Sequence, residues 1–283
     1  MTYSENNTLI PKVKSLLYAE QLQVKNKLME LGWRGQKNYT RFIILGRSRT
    51  GSNLLRGLLN EHAQIVVLGE LFQNEQEIGW AYPGYSQSPK MLKLFHNQPV
   101  KFLGEKVFRN YPTQTAAVGF KIFYYHARSK NWQPVWDYLR NQQNLRVIHI
   151  KRRNLLKTHL SKKRAEQTDE WVNTTGQPQK PKSNSLRLDF AECQQDFEQT
   201  RAWETENDVF FREHPSLEIF YEDLARNYAD EMQRVLTFLN ITPQPLKPQT
   251  HKQARQALSD TIENYAELKS QFAGTQWASF FED

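Results

Sequence analysis

The fourteen residues Phe42-Ile43-Ile44-Leu45-Gly46-Arg47-Ser48-Arg49-Thr50-Gly51-Ser52-Asn53-Leu54-Leu55 constrain the fold more than any other stretch of this chain. A short apolar run ends in a loop of small and cationic residues. The loop leads straight into an apolar helical pattern that continues to Asn60. A strand, a tight loop and a helix in that order build an anion cradle. The loop's backbone N–H groups and the positive end of the helix converge on one spot and favour negative charge there.

The spacing from Gly46 to Gly51 is similar to the phosphate-binding loop of nucleotide hydrolases. That motif requires Lys directly after its second glycine, and here the position holds Ser52. The cations are Arg47 and Arg49, both ahead of Gly51. The loop is therefore expected to bind a phosphate-like group without being a Mg-ATP site. A P-loop-like nucleotide kinase or NTPase stays open as the alternative.

The rest of the chain supplies the matching frame. Five short apolar runs read as buried strands: Phe42–Leu45, Ile65–Leu68, Val118–Tyr124, Arg146–Ile150 and Leu217–Tyr221. Helical patterns at Leu54–Asn60, Trp132–Asn141, Leu155–Ala165 and Asp189–Glu213 separate most of them. This alternation predicts an α/β fold: a single domain with a mostly parallel central sheet flanked by helices. Ligands of such sheets bind at the carboxyl ends of the strands. The Gly46 loop and the cluster starting at Lys151 both fall at such ends.

Residues 11–31 read as an amphipathic helix, so residues 1–40 are expected to form an N-terminal helical cover and 41–283 the main domain. Trp80–Thr115 and Gln167–Ser185 look irregular and are candidate substrate walls. Beyond a proline-rich connector at Pro243–Pro248, Lys252–Phe272 is helix-like.

Composition narrows the function classes. Hydrophobic residues make up 39% of the chain, enough for a core, yet no apolar run approaches the about 20 residues of a membrane span. Met1–Ile10 is polar, and no signal peptide is expected. The lone Cys193 excludes an internal disulfide and a cysteine-rich metal site. No His, Cys and carboxylate cluster has metal-ligand spacing, so no metal is expected. A cytoplasmic enzyme follows. The net charge of +8 implies an acidic partner. Seven Lys or Arg and no acid fall between Lys151 and Arg164, which argues for a focused site. A nucleic-acid-binding protein would spread its cations along a face with aromatic platforms, so nucleic acid is not the expected partner.

After the fourth strand comes Lys151-Arg152-Arg153-Asn154-Leu155-Leu156-Lys157-Thr158-His159-Leu160-Ser161. Arg153 stands where the strand ends, and Ser161 stands about two turns into the next helix. Fork and hydroxyl are suited to grip one anionic group. This pair resembles the 3′-phosphate motif of sulfotransferases that use PAPS, 3′-phosphoadenosine-5′-phosphosulfate. Arg49-Thr50-Gly51-Ser52-Asn53 is similar to the family's 5′-phosphosulfate loop, with Arg as in the bacterial and carbohydrate type. Phe220-Tyr221-Glu222-Asp223-Leu224 resembles the family's Tyr-Glu-Asp-Leu. The tail Ile262-Glu263-Asn264-Tyr265-Ala266-Glu267 resembles its Ile-x-Asn-Tyr-x-Glu ending. Gly69-Glu70-Leu71 resembles the nodulation-factor type. The matches run in the family's order from about residue 41 to 268.

The resemblance implies in-line transfer of a sulfuryl group from PAPS to an acceptor hydroxyl, on a carbohydrate, a lipid-linked molecule or a small metabolite, with release of PAP. The implied donor-binding residues are Arg47, Ser48, Arg49, Thr50, Gly51, Ser52, Asn53, Arg153 and Ser161, with Lys252 and Arg255 closing over the nucleotide. Arg49 would stabilise the charge that develops on the leaving phosphate. The acceptor needs a general base; Glu70 is the first candidate and His126 the reserve. Each also has a structural reading, Glu70 as an ion pair and His126 as a packed histidine. Lys121, inside the strand-like run Val118–Tyr124, would be costly if buried unpaired and so is expected to face the site. Glu222 reads as an anchor for the following helix.

Overall fold

A computed structural model describes residues 34–169 except 86, residues 185–246 and 257–282, and residues 21, 24, 28 and 29. In chain order the elements are β1 (Thr40–Gly46), α1 (Ser52–Asn60), β2 (Ile65–Glu70), α2 (Pro89–Asn97), α3 (Pro99–Phe102), β3 (Ala117–Phe123), α4 (Pro134–Arg140), β4 (Arg146–Lys151), α5 (Leu155–Thr168), α6 (Phe190–Phe210), β5 (Ser216–Phe220), α7 (Tyr221–Arg226), α8 (Tyr228–Phe238), α9 (Leu258–Thr261) and α10 (Tyr265–Gln271). The strand order is β2-β3-β1-β4-β5. The expected α/β class with a parallel sheet between helices is the class observed, and all five strands lie on the apolar runs that announced them. Of the expected N-terminal helix, Gln21, Val24, Leu28 and Met29 are helical, and its other residues lie outside the described ones.

Two compact units divide the chain, one made of residues up to Ile43 with Ala63–Arg146, the other of Ile44–His62 with Val147–Asp283. In the first, β2 pairs parallel with β3, and every residue of β3 is buried, as a strand covered on both faces must be. The register runs Ile65 to Ala117 through Leu68 to Phe120 and then slips, so that Glu70 stands opposite Lys121. Gly69 is the extra residue. Its N–H donates to the Trp80 carbonyl at 2.7 Å, and a Cβ there would lie 2.4 Å from the Gly79 oxygen. The bulge thus re-aims the last residue of β2.

Half of the segment Trp80–Thr115, expected to be irregular, is helical. Pro89 and Pro99 open α2 and α3, a position where the missing N–H costs nothing, and α3 passes into a π-helical turn at Leu103–Val107. The Ser88 hydroxyl caps α2 by accepting from the Met91 N–H. Phe95 stacks on Phe72 at 5.2 Å and meets Trp132 at 4.8 Å, so the segment contributes to the core.

In the second unit β4 and β5 are parallel, Val147 opposite Ser216 and Lys151 opposite Phe220. Leu155, Leu160, Cys193, Phe197, Phe272 and Phe281 form its apolar core. The tail differs from the single helix expected over Lys252–Phe272. α9 and α10 are separate short helices because Asn264 turns inward, accepting from the Leu188 N–H at 3.0 Å and donating to the Leu188 carbonyl at 2.9 Å. Lys252 and Arg255 lie outside the described residues, as does most of Gln167–Ser185. Among the described residues no helix is long and apolar enough to cross a membrane.

Candidate active site

The cradle begins where β1 ends. A Cβ on Gly46 would sit 2.7 Å from the Ile150 carbonyl, so a larger residue would push the loop away from β4. Arg49 and Gly51 both take left-handed backbone conformations, with φ of 66° and 83°. The Thr50 hydroxyl donates to the Arg47 carbonyl at 2.8 Å and closes the turn. A Cβ on Gly51 would lie 2.4 Å from the Tyr221 ring, which together with its positive φ leaves only glycine at that position. α1 starts directly after it and carries no acidic residue in its first turn, so the positive end of the helix favours an anion there.

The two loop arginines part company. Arg49 donates its Nε–H to the Ser161 hydroxyl at 2.8 Å, and the Arg152 guanidinium holds the Arg49 carbonyl at 3.1 Å. Arg152 also lies over the Tyr221 ring, 4.6 Å from its centre. Burial pulls the pKa of Arg49 and of Arg152 down, since a cation loses hydration there. Arg47, by contrast, is buried against α6. It makes two bonds of 3.0 Å to the Asp196 carboxylate and a third to the Thr200 hydroxyl. Burial acts to raise the Asp196 pKa, but bonds from His159 and Arg47 outweigh it and hold the carboxyl well below the usual range. The Arg47 side chain therefore anchors the loop from behind.

Ser161 and Arg153, expected to share one anion, hold different partners here, Ser161 accepting from Arg49. Arg153 makes a two-pronged bond to Asp223, at 2.9 and 2.7 Å, and lies 4.1 Å from the centre of the Phe220 ring. Arg153 stands one residue ahead of Asn154, the N-cap of α5, and Ser161 lies on the helix itself, as expected. Glu222 fixes this corner. Its carboxylate accepts the backbone N–H groups of Arg153 and Asn154 at 3.1 and 3.3 Å, so it anchors the start of α5 and not, as expected, the helix that follows it. The basic run from Lys151 is also less open than its sequence suggests. Lys151 is buried, at 2.7 Å from Asp208 and 2.6 Å from Glu218, and Lys163 pairs with Glu192.

In the first unit the slipped register produces a second polar cluster. Lys121, fully buried, donates to Glu70 Oε1 at 2.8 Å. His126 Nε2 faces Glu70 Oε2 at 4.0 Å. The Phe123 N–H donates to His126 Nδ1 at 3.2 Å, and Trp136 Nε1 donates to the His126 carbonyl at 3.0 Å. Burial drives the His126 pKa down to about 4; Glu70 opposes this and Lys121 adds to it. Both base candidates and Lys121 thus meet in one place. Tyr125 stands edge-on to His126 at 5.1 Å with its side chain exposed.

Asp196 and Asp223 were not singled out from the sequence. Asp223 lay inside the Tyr-Glu-Asp-Leu motif and was findable there. Asp196 had no signal, because its partner Arg47 is 149 positions away.

The sequence model of the sulfotransferase family matches residues 41–245, most of the chain. Nodulation protein H of Rhizobium tropici is similar, 29% identical over 250 residues that cover 85% of this chain and 92% of that protein. Nodulation protein H of Rhizobium meliloti strain 1021 is 28% identical over 247 residues, 85% of this chain and 94% of that one. A sulfotransferase of known structure from Alicyclobacillus acidocaldarius superimposes with a TM-score of 0.46 at 14% identity, covering 85% of this chain and 92% of the other. With the family's model spanning the glycine loop, the basic corner of α5 and the Tyr-Glu-Asp-Leu turn, this chain belongs to the sulfotransferase family.

Proposed function

We propose that this sulfotransferase takes its sulfuryl group from PAPS and passes it to a hydroxyl on a carbohydrate acceptor. The observation that carries the donor assignment is the bond from Arg49 to Ser161. It joins the glycine loop and the basic helix, the two segments that the resemblance assigns to the 5′ and 3′ ends of the nucleotide. The loop N–H groups of Thr50 to Asn53 and the Arg49 guanidinium hold the 5′-phosphosulfate. Arg49 stabilises the negative charge that builds on the phosphate oxygen as the sulfur leaves it. Ser161 and Arg153 hold the 3′-phosphate, with Arg153 turning from Asp223 to reach it. That exchange of one anionic partner for another is easy for a half-exposed guanidinium.

Glu70 removes the acceptor's proton, and Lys121 keeps its carboxylate oriented. The exposed Tyr125 ring beside this cluster offers a flat apolar face of the kind sugar rings stack on, and supports a carbohydrate acceptor. The relatives named nodulation protein H lend the same reading support.

Isothermal titration calorimetry with PAP, and with ATP plus Mg²⁺ for comparison, tests the donor site. Micromolar PAP binding that needs no metal, with ATP much weaker, is the expected result. Tight Mg-ATP binding with no preference for PAP would replace this reading with that of a nucleotide kinase.

A further inference from the structure

We infer that His126 serves the reaction as a positioning residue for Glu70, donating through Nε2–H, and not as a base in its own right. The inference rests on the proposal that Glu70 takes the acceptor's proton. The Phe123 backbone N–H has only a proton to offer, and it points at His126 Nδ1 from 3.2 Å. Nδ1 must therefore present its lone pair, and in the neutral ring the one proton sits on Nε2. Burial keeps the ring neutral at pH 7, with its pKa near 4. A ring in that state has no lone pair left: one nitrogen is occupied by the backbone, and the other carries hydrogen. It can donate to a carboxylate but cannot take a proton from an alcohol.

The turn that holds the ring is short and closed on itself. His126 N–H returns a bond to the Phe123 carbonyl at 2.9 Å, the ring packs on Phe123 at 4.8 Å, and Trp136 fixes the His126 carbonyl. The tautomer is thus set by the backbone of the turn. Its Nε2 lies 4.0 Å from Glu70 Oε2, beyond direct hydrogen-bond reach, so the donation requires the pair to close by about 1 Å; Lys121 already binds the other oxygen, Oε1. Glu70 and Lys121 are the charged groups that face the ring from the two strands beside it. With Oε1 held by an ammonium, Oε2 is the atom left for the acceptor. In the transfer step the acceptor oxygen forms its bond to sulfur, and the bond from sulfur to the 5′-phosphate oxygen breaks. The electron pair stays on that oxygen, and the hydroxyl proton passes to Oε2. A neutral donor beside Oε2 steadies the carboxylate without competing for the proton.

The test compares H126F, which keeps the ring and loses the donor, with H126Q, which keeps an N–H, and with E70Q and the double variant E70Q/H126F. The readout is PAP release from PAPS, with water or cellotetraose as acceptor. We expect H126F to lower kcat about tenfold with the KM for PAPS within twofold, H126Q to recover most of it, and the double variant to be no slower than E70Q. Wild-type kcat in H126F, or a further tenfold loss on adding H126F to E70Q, overturns the inference. Full activity in E70Q overturns the Glu70 proposal itself, so the two failures are distinct. Independently of turnover, ¹⁵N NMR of the histidine rings in the wild-type protein should show His126 protonated on Nε2 alone from pH 6 to 8. A proton on Nδ1 would refute the assignment.

Discussion

Arg49 donates its Nε–H to the hydroxyl of Ser161, 2.8 Å away across 112 positions of sequence. Two segments that each look like half of an anion site are thereby joined within the protein itself. The bond also orients the Arg49 guanidinium, the group proposed to act on the donor.

Arg49→Ala should cut kcat by about tenfold to a hundredfold while PAP still binds, because the guanidinium is proposed to act on charge that grows only in the transition state. Ser161→Ala should show a milder form of the same loss together with a raised KM for PAPS. Steady-state kinetics with PAP titrations will show this; near-normal turnover of Arg49→Ala would remove Arg49 from the mechanism.

Arg153→Ala should act differently. Its part is proposed to be binding, so the KM for PAPS should rise about tenfold or more with kcat little changed. The folded protein should lose little stability, since the bond to Asp223 is half exposed and such pairs contribute on the order of 1 kcal/mol or less. An unchanged KM would sink the 3′-phosphate assignment.

Asp196→Asn should be costly to the fold itself. It leaves Arg47 buried with its counter-charge gone, a loss of roughly 3–5 kcal/mol that thermal unfolding would register as a drop of about 10 °C. The pH dependence follows from the same pair. The folded pKa of Asp196 lies below its unfolded value, so the pair's contribution is fully present above about pH 4 and fades as acid protonates the carboxyl. The wild type should therefore lose stability in acid more steeply than Asp196→Asn. Parallel melting curves between pH 3 and 7 would contradict this.

Tyr125→Ala should leave PAP affinity unchanged and raise the KM for a sugar acceptor by up to about tenfold, the scale of one lost stacking contact. An effect on PAP instead would move Tyr125 to the donor side.

What could be read from sequence was whatever repeats locally. All five strands sat on apolar runs bounded by loops, and the cradle announced itself by Gly46, Gly51 and the run of helix that follows. What could not be read was partnership across distance. Lys151 stands in a basic run without any acid, and its acids are 57 and 67 positions away. Arg47 and Arg49 are two residues apart and alike in sequence, and only the fold turns one toward Asp196 and the other toward Ser161. The helices at Pro89–Asn97 and Pro99–Phe102, each opened by its proline, were hidden in a segment whose mix of Pro, Gly, Tyr and Lys has weak periodicity. Glu70 was legible as a candidate at a strand tip. Its pairing with Lys121 depends on the slip at Gly69, and a uniform register would have set Glu70 beside Ile122.

The Tyr221 ring touches the space beside Gly51 and carries the Arg152 cation. A fluorine placed on that ring would sense any shift of the glycine loop as a change in resonance frequency, with no charged group altered. The turn that begins α7 thus doubles as a built-in reporter: donor arrival could be timed at a single tyrosine, separately from the chemistry that follows.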